Sequence, residues 1–201
     1  CSYFTIAEQL IDASDLVMVI TRTAHTHEIY GSMALNMGKS VFLDKPAATS
    51  GAVLKSMYNL AEQKNRSLFG GSSLVWLEQF QDIKNSLKDE SEVIIRYFGE
   101  ADSVYDGFRF YGSHLAQVAI AMFGGDYHNV KAQFIASDAN IQIDYPSRKV
   151  ILQMSPALKD KPMEFISGPG SIQLKEEGCY KSILMAYRQL SDRQKLDYAD
   201  V

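Results

Sequence analysis

The run Leu16-Val17-Met18-Val19-Ile20 constrains the fold of this chain more than any other segment. A strand with one wet face alternates polar and apolar residues, whereas a short run apolar at both parities has both faces covered, as in the parallel sheet of an α/β fold. Residues 25–37 follow with Ile29, Met33 and Met37 at helical spacing, and Gly38 stands where the C′ residue of a helix belongs. Ser40 to Leu43 reads as a second strand. Thr49 or Ser50 can cap a helix whose apolar stripe is Val53, Leu54, Met57, Leu60 and Ala61. A third strand starts at Ser67-Leu68-Phe69-Gly70. This strand–helix–strand–helix–strand rhythm predicts a doubly wound parallel sheet. A first strand apolar on both faces should not stand at a bare edge, since such an edge invites aggregation. The pattern therefore predicts a strand–helix–strand unit ahead of Cys1, and the chain, which begins without methionine, reads as a piece of something longer.

After about residue 73 the rhythm changes. A helical stretch at 77–88 leads to a strand at Glu92 to Phe98. Ser113 is placed to cap an apolar helix carrying Leu115, Val118, Ala119, Met122 and Phe123, closed by Gly124-Gly125. Strand-like runs follow at 129–136, 139–145, 149–155, 162–167 and 170–175. Ile141, Ile143 and Tyr145 alternate against Gln142 and Asp144, the pattern of an antiparallel sheet with one wet face. A last helix is expected over 179–191. An α/β part followed by an α+β part is the organisation these patterns imply.

Net charge is -4 with the signs interspersed, so no basic face calls for nucleic acid or anionic lipid. The apolar runs are too short to span a bilayer, and no signal peptide is visible. Two cysteines, Cys1 and Cys179, are too few for a disulfide framework, and a cytoplasmic protein is the default reading. His25 and His27 are two apart, whereas helical ligands facing one way need three or four, so no metal site is expected.

Lys45 falls at the carboxyl end of the second strand, just before Pro46. Open α/β sheets bind ligands beyond those ends. A lysine there can donate a hydrogen bond to a substrate hydroxyl, or act as a base if burial lowers its pKa. A surface lysine in a loop is the plain alternative. In the second part, Tyr111-Gly112-Ser113-His114-Leu115 brings a histidine to the start of the expected helix, where the helix dipole would disfavour the imidazolium. There the plain alternative is a structural histidine.

The order of these features resembles the glucose–fructose oxidoreductase / inositol dehydrogenase / MocA family. The resemblance rests on Asp15-Leu16-Val17-Met18-Val19-Ile20-Thr21, a histidine at 25 or 27, Met37-Gly38-Lys39-Ser40-Val41-Phe42-Leu43 and Asp44-Lys45-Pro46, over residues 7 to about 73. It implies that 1–73 is the C-terminal part of a Rossmann domain binding NAD or NADP. It further implies that 74–201 is an α+β domain with a mostly antiparallel sheet for substrate binding and oligomerisation. By resemblance Lys45 and His114 are the catalytic pair. Thr21, Arg22, His25, Asp44, Lys45 and Pro46 are the residues expected to line the cofactor site, and Arg109, Tyr111 and Gln117 are the candidates for substrate contacts. The implied activity is hydride transfer to or from a hydroxyl-bearing carbon of a sugar, cyclitol or similar small molecule, in a homodimer or homotetramer. Two features depart from the family pattern. Phe110 stands four residues before His114 where the family carries an aspartate, which keeps a non-catalytic dinucleotide- or sugar-binding regulator as the alternative. No Gly-Xaa-Gly-Xaa-Xaa-Gly turn occurs, so the chain by itself is expected to bind dinucleotide poorly and not to be competent alone.

Overall fold

The computed structural model describes residues 2–178, 181 and 183–185. The chain forms two compact units, one running through Gly71 and the other beginning at Ser72. The first contains α1 (Ala7–Asp12), β1 (Leu16–Val19), α2 (Ala24–Asn36), β2 (Ser40–Asp44), α3 (Gly51–Gln63) and β3 (Leu68–Gly71). The strands are parallel in the order β1-β2-β3. The helices α2 and α3 pack against each other, so both lie on one face of the sheet. The parallel sheet predicted from the rhythm is present, with both of its crossover helices on the same side. Crossovers of one hand stepping across a sheet in one direction deliver their helices to the same side.

The same one-sidedness corrects the reading of the first strand. Val17 and Val19 are buried, but Leu16 and Met18, on the opposite face, are 36% and 40% exposed. β2, flanked by both neighbours, buries residues of both parities, namely Val41, Phe42 and Leu43, and β3 buries the adjacent Leu68 and Phe69. In α2 the buried stripe is Ala24, His27, Gly31, Ala34 and Leu35, not the Ile29, Met33 and Met37 of the sequence reading. Small residues let α2 sit close to its neighbours: a Cβ on Gly31 would lie 2.7 Å from Met57 of α3 and 2.9 Å from Leu43 of β2. Other local signals hold. Gly38 takes a positive φ of 75° after α2, and Ser50 caps α3 by accepting from the Val53 N–H at 3.2 Å.

The second unit contains α4 (Glu78–Leu87), β4 (Glu92–Phe98), α5 (Phe108–Phe123) and β5 to β9 (Asn129–Ile135, Asp138–Asp144, Lys149–Ser155, Met163–Ser167, Gly170–Leu174). The sheet order is β5-β6-β7-β4-β8-β9, antiparallel except for the β4–β7 pair. Val93, Ile95, Leu152, Met154, Met163 and Phe165 point from its inner face into a core shared with α4 and α5. One helix boundary is corrected. Helix α5 begins at Phe108, so Ser113 is not its cap; its hydroxyl donates back to the Phe110 carbonyl at 3.4 Å. Gly107, at φ 57°, makes the turn into the helix, and the Phe108 ring is anchored edge-on against Phe134 with centroids 5.4 Å apart. His114 thus lies in the second turn, beyond the reach of the end dipole invoked from sequence. The helix expected over 179–191 falls largely outside the described residues.

Candidate functional site

In the first unit the candidate residues gather at the carboxyl ends of β1 and β2. Thr21 and Arg22 follow β1, and Asp44, Lys45 and Pro46 close β2, with a cis peptide between Lys45 and Pro46. Lys45 is half-buried. Desolvation pushes its ammonium below the ordinary lysine range, helped by the Arg22 guanidinium and opposed by the Asp44 carboxylate. A lysine so placed exchanges its proton more readily near neutral pH than one in water.

Hydrogen bonds from α2 tie these two chain ends together. The wholly buried His27 sets Nδ1 2.8 Å from the Pro46 carbonyl oxygen and Nε2 2.7 Å from the Thr21 carbonyl oxygen. The Thr21 and Thr26 hydroxyls lie 2.6 Å apart, and Glu28 accepts from both the N–H and the hydroxyl of Thr49. His25, chosen from the sequence for the cofactor side, has a side chain 72% exposed, with Glu28 3.9 Å away. The histidine that joins the two strand ends is His27. Its signal was present in the spacing: 27, 31, 34 and 35 form one stripe of α2, and 25 falls off it.

In the second unit His114 and Gln117 converge on Ser72, the first residue after β3. The Ser72 N–H donates to Gln117 Oε1 at 2.5 Å, and its Oγ lies 2.7 Å from His114 Nδ1. Tyr97, on β4, meets the His114 ring edge-on with centroids 5.6 Å apart and donates its hydroxyl to Glu176 at 3.1 Å. Burial raises the Glu176 carboxyl above its usual range, partly offset by that hydrogen bond. Ser72, Tyr97 and Glu176 carried no sequence signal, because they join His114 only through folding. Arg109 is exposed on the first turn of α5. Tyr111 is packed against Phe98 and Phe110, at 5.1 and 4.9 Å between centroids. Phe110 also meets Tyr105, so this stretch of α5 is aromatic. Among the described residues, no cluster of three histidine, cysteine, aspartate or glutamate side chains is placed to hold a metal, and no helix is long and apolar enough to cross a membrane.

A parallel sheet with candidate residues at its carboxyl ends is the class of nucleotide-binding α/β fold. Residues 1–72 match the oxidoreductase family with an NAD-binding Rossmann fold. That segment, about a third of the chain, is what is similar to the GFO/IDH/MocA oxidoreductases. Several solved structures share the fold. GenD2 from gentamicin A biosynthesis, in complex with NAD, aligns with a TM-score of 0.77 at 15% identity, over 98% of this chain and 75% of its own. A protein from Magnetospirillum magnetotacticum MS-1 assigned to the oxidoreductases gives 0.81 at 12% identity, over 96% and 78%. Another so assigned, from Klebsiella pneumoniae, gives 0.68 at 21% identity, over 90% of this chain and 57% of that one. The chain thus spans little more than half the length of the Klebsiella protein. No curated protein matches it.

Proposed function

We propose that this chain is the C-terminal part of an NAD- or NADP-dependent oxidoreductase that moves a hydride to or from a hydroxyl-bearing carbon of a sugar, cyclitol or related small molecule. Residues 1–73 would complete the cofactor domain, and 74–201 would carry substrate. The observation that carries the reading is Lys45: a half-buried lysine, lowered in pKa, at the carboxyl end of a strand in the family-matching segment. The residues present fit the nicotinamide end of a dinucleotide, because Thr21 and Thr26 supply hydroxyls there and Lys45 a cation. They do not include a glycine-rich turn for the pyrophosphate. Bound dinucleotide would supply the hydride acceptor or donor. Lys45 would bind the reacting hydroxyl and take or return its proton at Nζ.

A second reading keeps the binding and omits the turnover. The aromatic packing of Phe110 against Tyr105 and Tyr111 favours it, since no carboxylate stands at that position to orient a hydroxyl. The two are separated by offering the full-length protein NAD or NADP with a panel of polyols and following reduced nicotinamide. Turnover lost in Lys45→Ala supports the enzyme. Turnover unaffected by Lys45→Ala overturns the site, and binding without turnover in the parent favours the regulator.

A further inference from the structure

We propose that Ser72 fixes the tautomer of His114, holding the neutral ring with its proton on Nε2. The hydroxyl has one proton and two lone pairs to place. One lone pair accepts the Leu74 N–H at 3.3 Å. The remaining partner among the described residues is His114 Nδ1, at 2.7 Å. If Oγ–H donates to Nδ1, both groups are satisfied, and Nδ1 is the unprotonated nitrogen. If Nδ1–H donated instead, Oγ would accept twice and its own proton would lack an acceptor. Ser72 is wholly buried, so that proton has no water to turn to. A buried donor left without an acceptor is costly, and that cost selects the first arrangement.

The ring is also held against rotation. Tyr97 packs edge-on beside it, while the Ser72 backbone N–H is gripped by Gln117 one turn further along α5. Ser72 is thus a positioning residue whose main chain and side chain are both fixed by the helix it serves. In the neutral ring Nε2 carries the proton, so whatever meets that nitrogen meets a hydrogen-bond donor and not a base.

The test does not depend on turnover. In the full chain labelled with nitrogen-15 histidine, long-range nitrogen–proton spectra at mildly alkaline pH report the tautomer of each ring, with His114 assigned by its loss in His114→Gln. The expected result is a pyridine-type Nδ1 and a pyrrole-type Nε2. In Ser72→Ala the two nitrogen shifts should move toward each other as the tautomers mix, and Ser72→Thr, which keeps a hydroxyl, should retain the parent pattern. A pyrrole-type Nδ1 in the parent chain overturns the proposal. So does an unchanged spectrum in Ser72→Ala, or loss of the pattern in the threonine variant as well. An absence of dehydrogenase activity would defeat the proposed function while leaving these spectra to be read on their own.

Discussion

The imidazole of His27 lies 2.8 Å from the carbonyl oxygen of Pro46, so the helix that follows β1 grips the loop that closes β2. The other ring nitrogen lies 2.7 Å from the Thr21 carbonyl oxygen, and the side chain is wholly buried. Replacing it with alanine leaves a cavity and buried carbonyls without their partner. His27→Ala should lower stability by about 2–4 kcal/mol in urea denaturation, whereas His25→Ala should change it by less than about 0.5 kcal/mol. Equal losses in the two variants would contradict the clamp.

The turn at the end of β3 depends on a residue without a Cβ. Gly70 has a φ of 143°, and a Cβ there would stand 1.8 Å from the Leu43 carbonyl oxygen, a backbone atom that cannot swing away. Gly70→Ala should cost more than about 3 kcal/mol or prevent folding. Gly51, at the start of α3, has nothing within 4 Å of the same imagined atom and no positive φ. There alanine should be neutral or stabilise by up to about 1 kcal/mol. Paired thermal melts of the two variants decide the matter.

Removing the Lys45 cation should separate stability from activity. Burial makes its protonated form the costly one in the folded state, so the unfolded chain holds that proton more readily. Stability linked to Lys45 therefore rises with pH through the window between its lowered value and the ordinary 10.5. Lys45→Met should be slightly more stable than the parent near neutral pH, by at most about 1 kcal/mol because the group is partly exposed. The advantage should fade as pH approaches 10.5. Turnover, where the proposed function holds, should fall by at least about a hundredfold. Chemical denaturation across pH, beside a rate assay, reads both effects.

The fold was legible where a signal is local and periodic. Strand β4 occupies the residues read from sequence, and Gly38 and Ser50 respectively stop and start helices as their chemistry dictates. The failures share a cause. A run such as Leu16 to Ile20 records burial in some setting, but the covering elements are not written in the run itself, and here one face of β1 is open. Helix α2 hides a stripe of alanine, glycine and histidine while exposing Ile29, because close approach to Met57 and Leu43 outweighs side-chain hydrophobicity. Lys45 could be placed because it stands at a strand end. The partners of His114 could not: Ser72 is 42 residues away along the chain, and only folding brings the two together.

Glu176 supplies a pH signature for the cluster around His114. Its carboxyl is raised above the ordinary 4.5 by burial, against the hydrogen bond from Tyr97. Between 4.5 and the raised value the folded chain holds a proton that the unfolded chain has released, so stability linked to Glu176 falls as pH rises through that window. Glu176→Gln cannot ionise and should lose this slope, becoming progressively more stable than the parent as pH rises past the window. Tyr97→Phe removes the group that favours the charged form. It should push the carboxyl higher still and extend the falling limb to higher pH. Thermal melts of the three chains from mildly acidic to neutral pH test the assignment: parallel curves for the parent and Glu176→Gln would show that the raised carboxyl is not Glu176, and a limb shifted to lower pH in Tyr97→Phe would show that its hydroxyl does not stabilise the carboxylate.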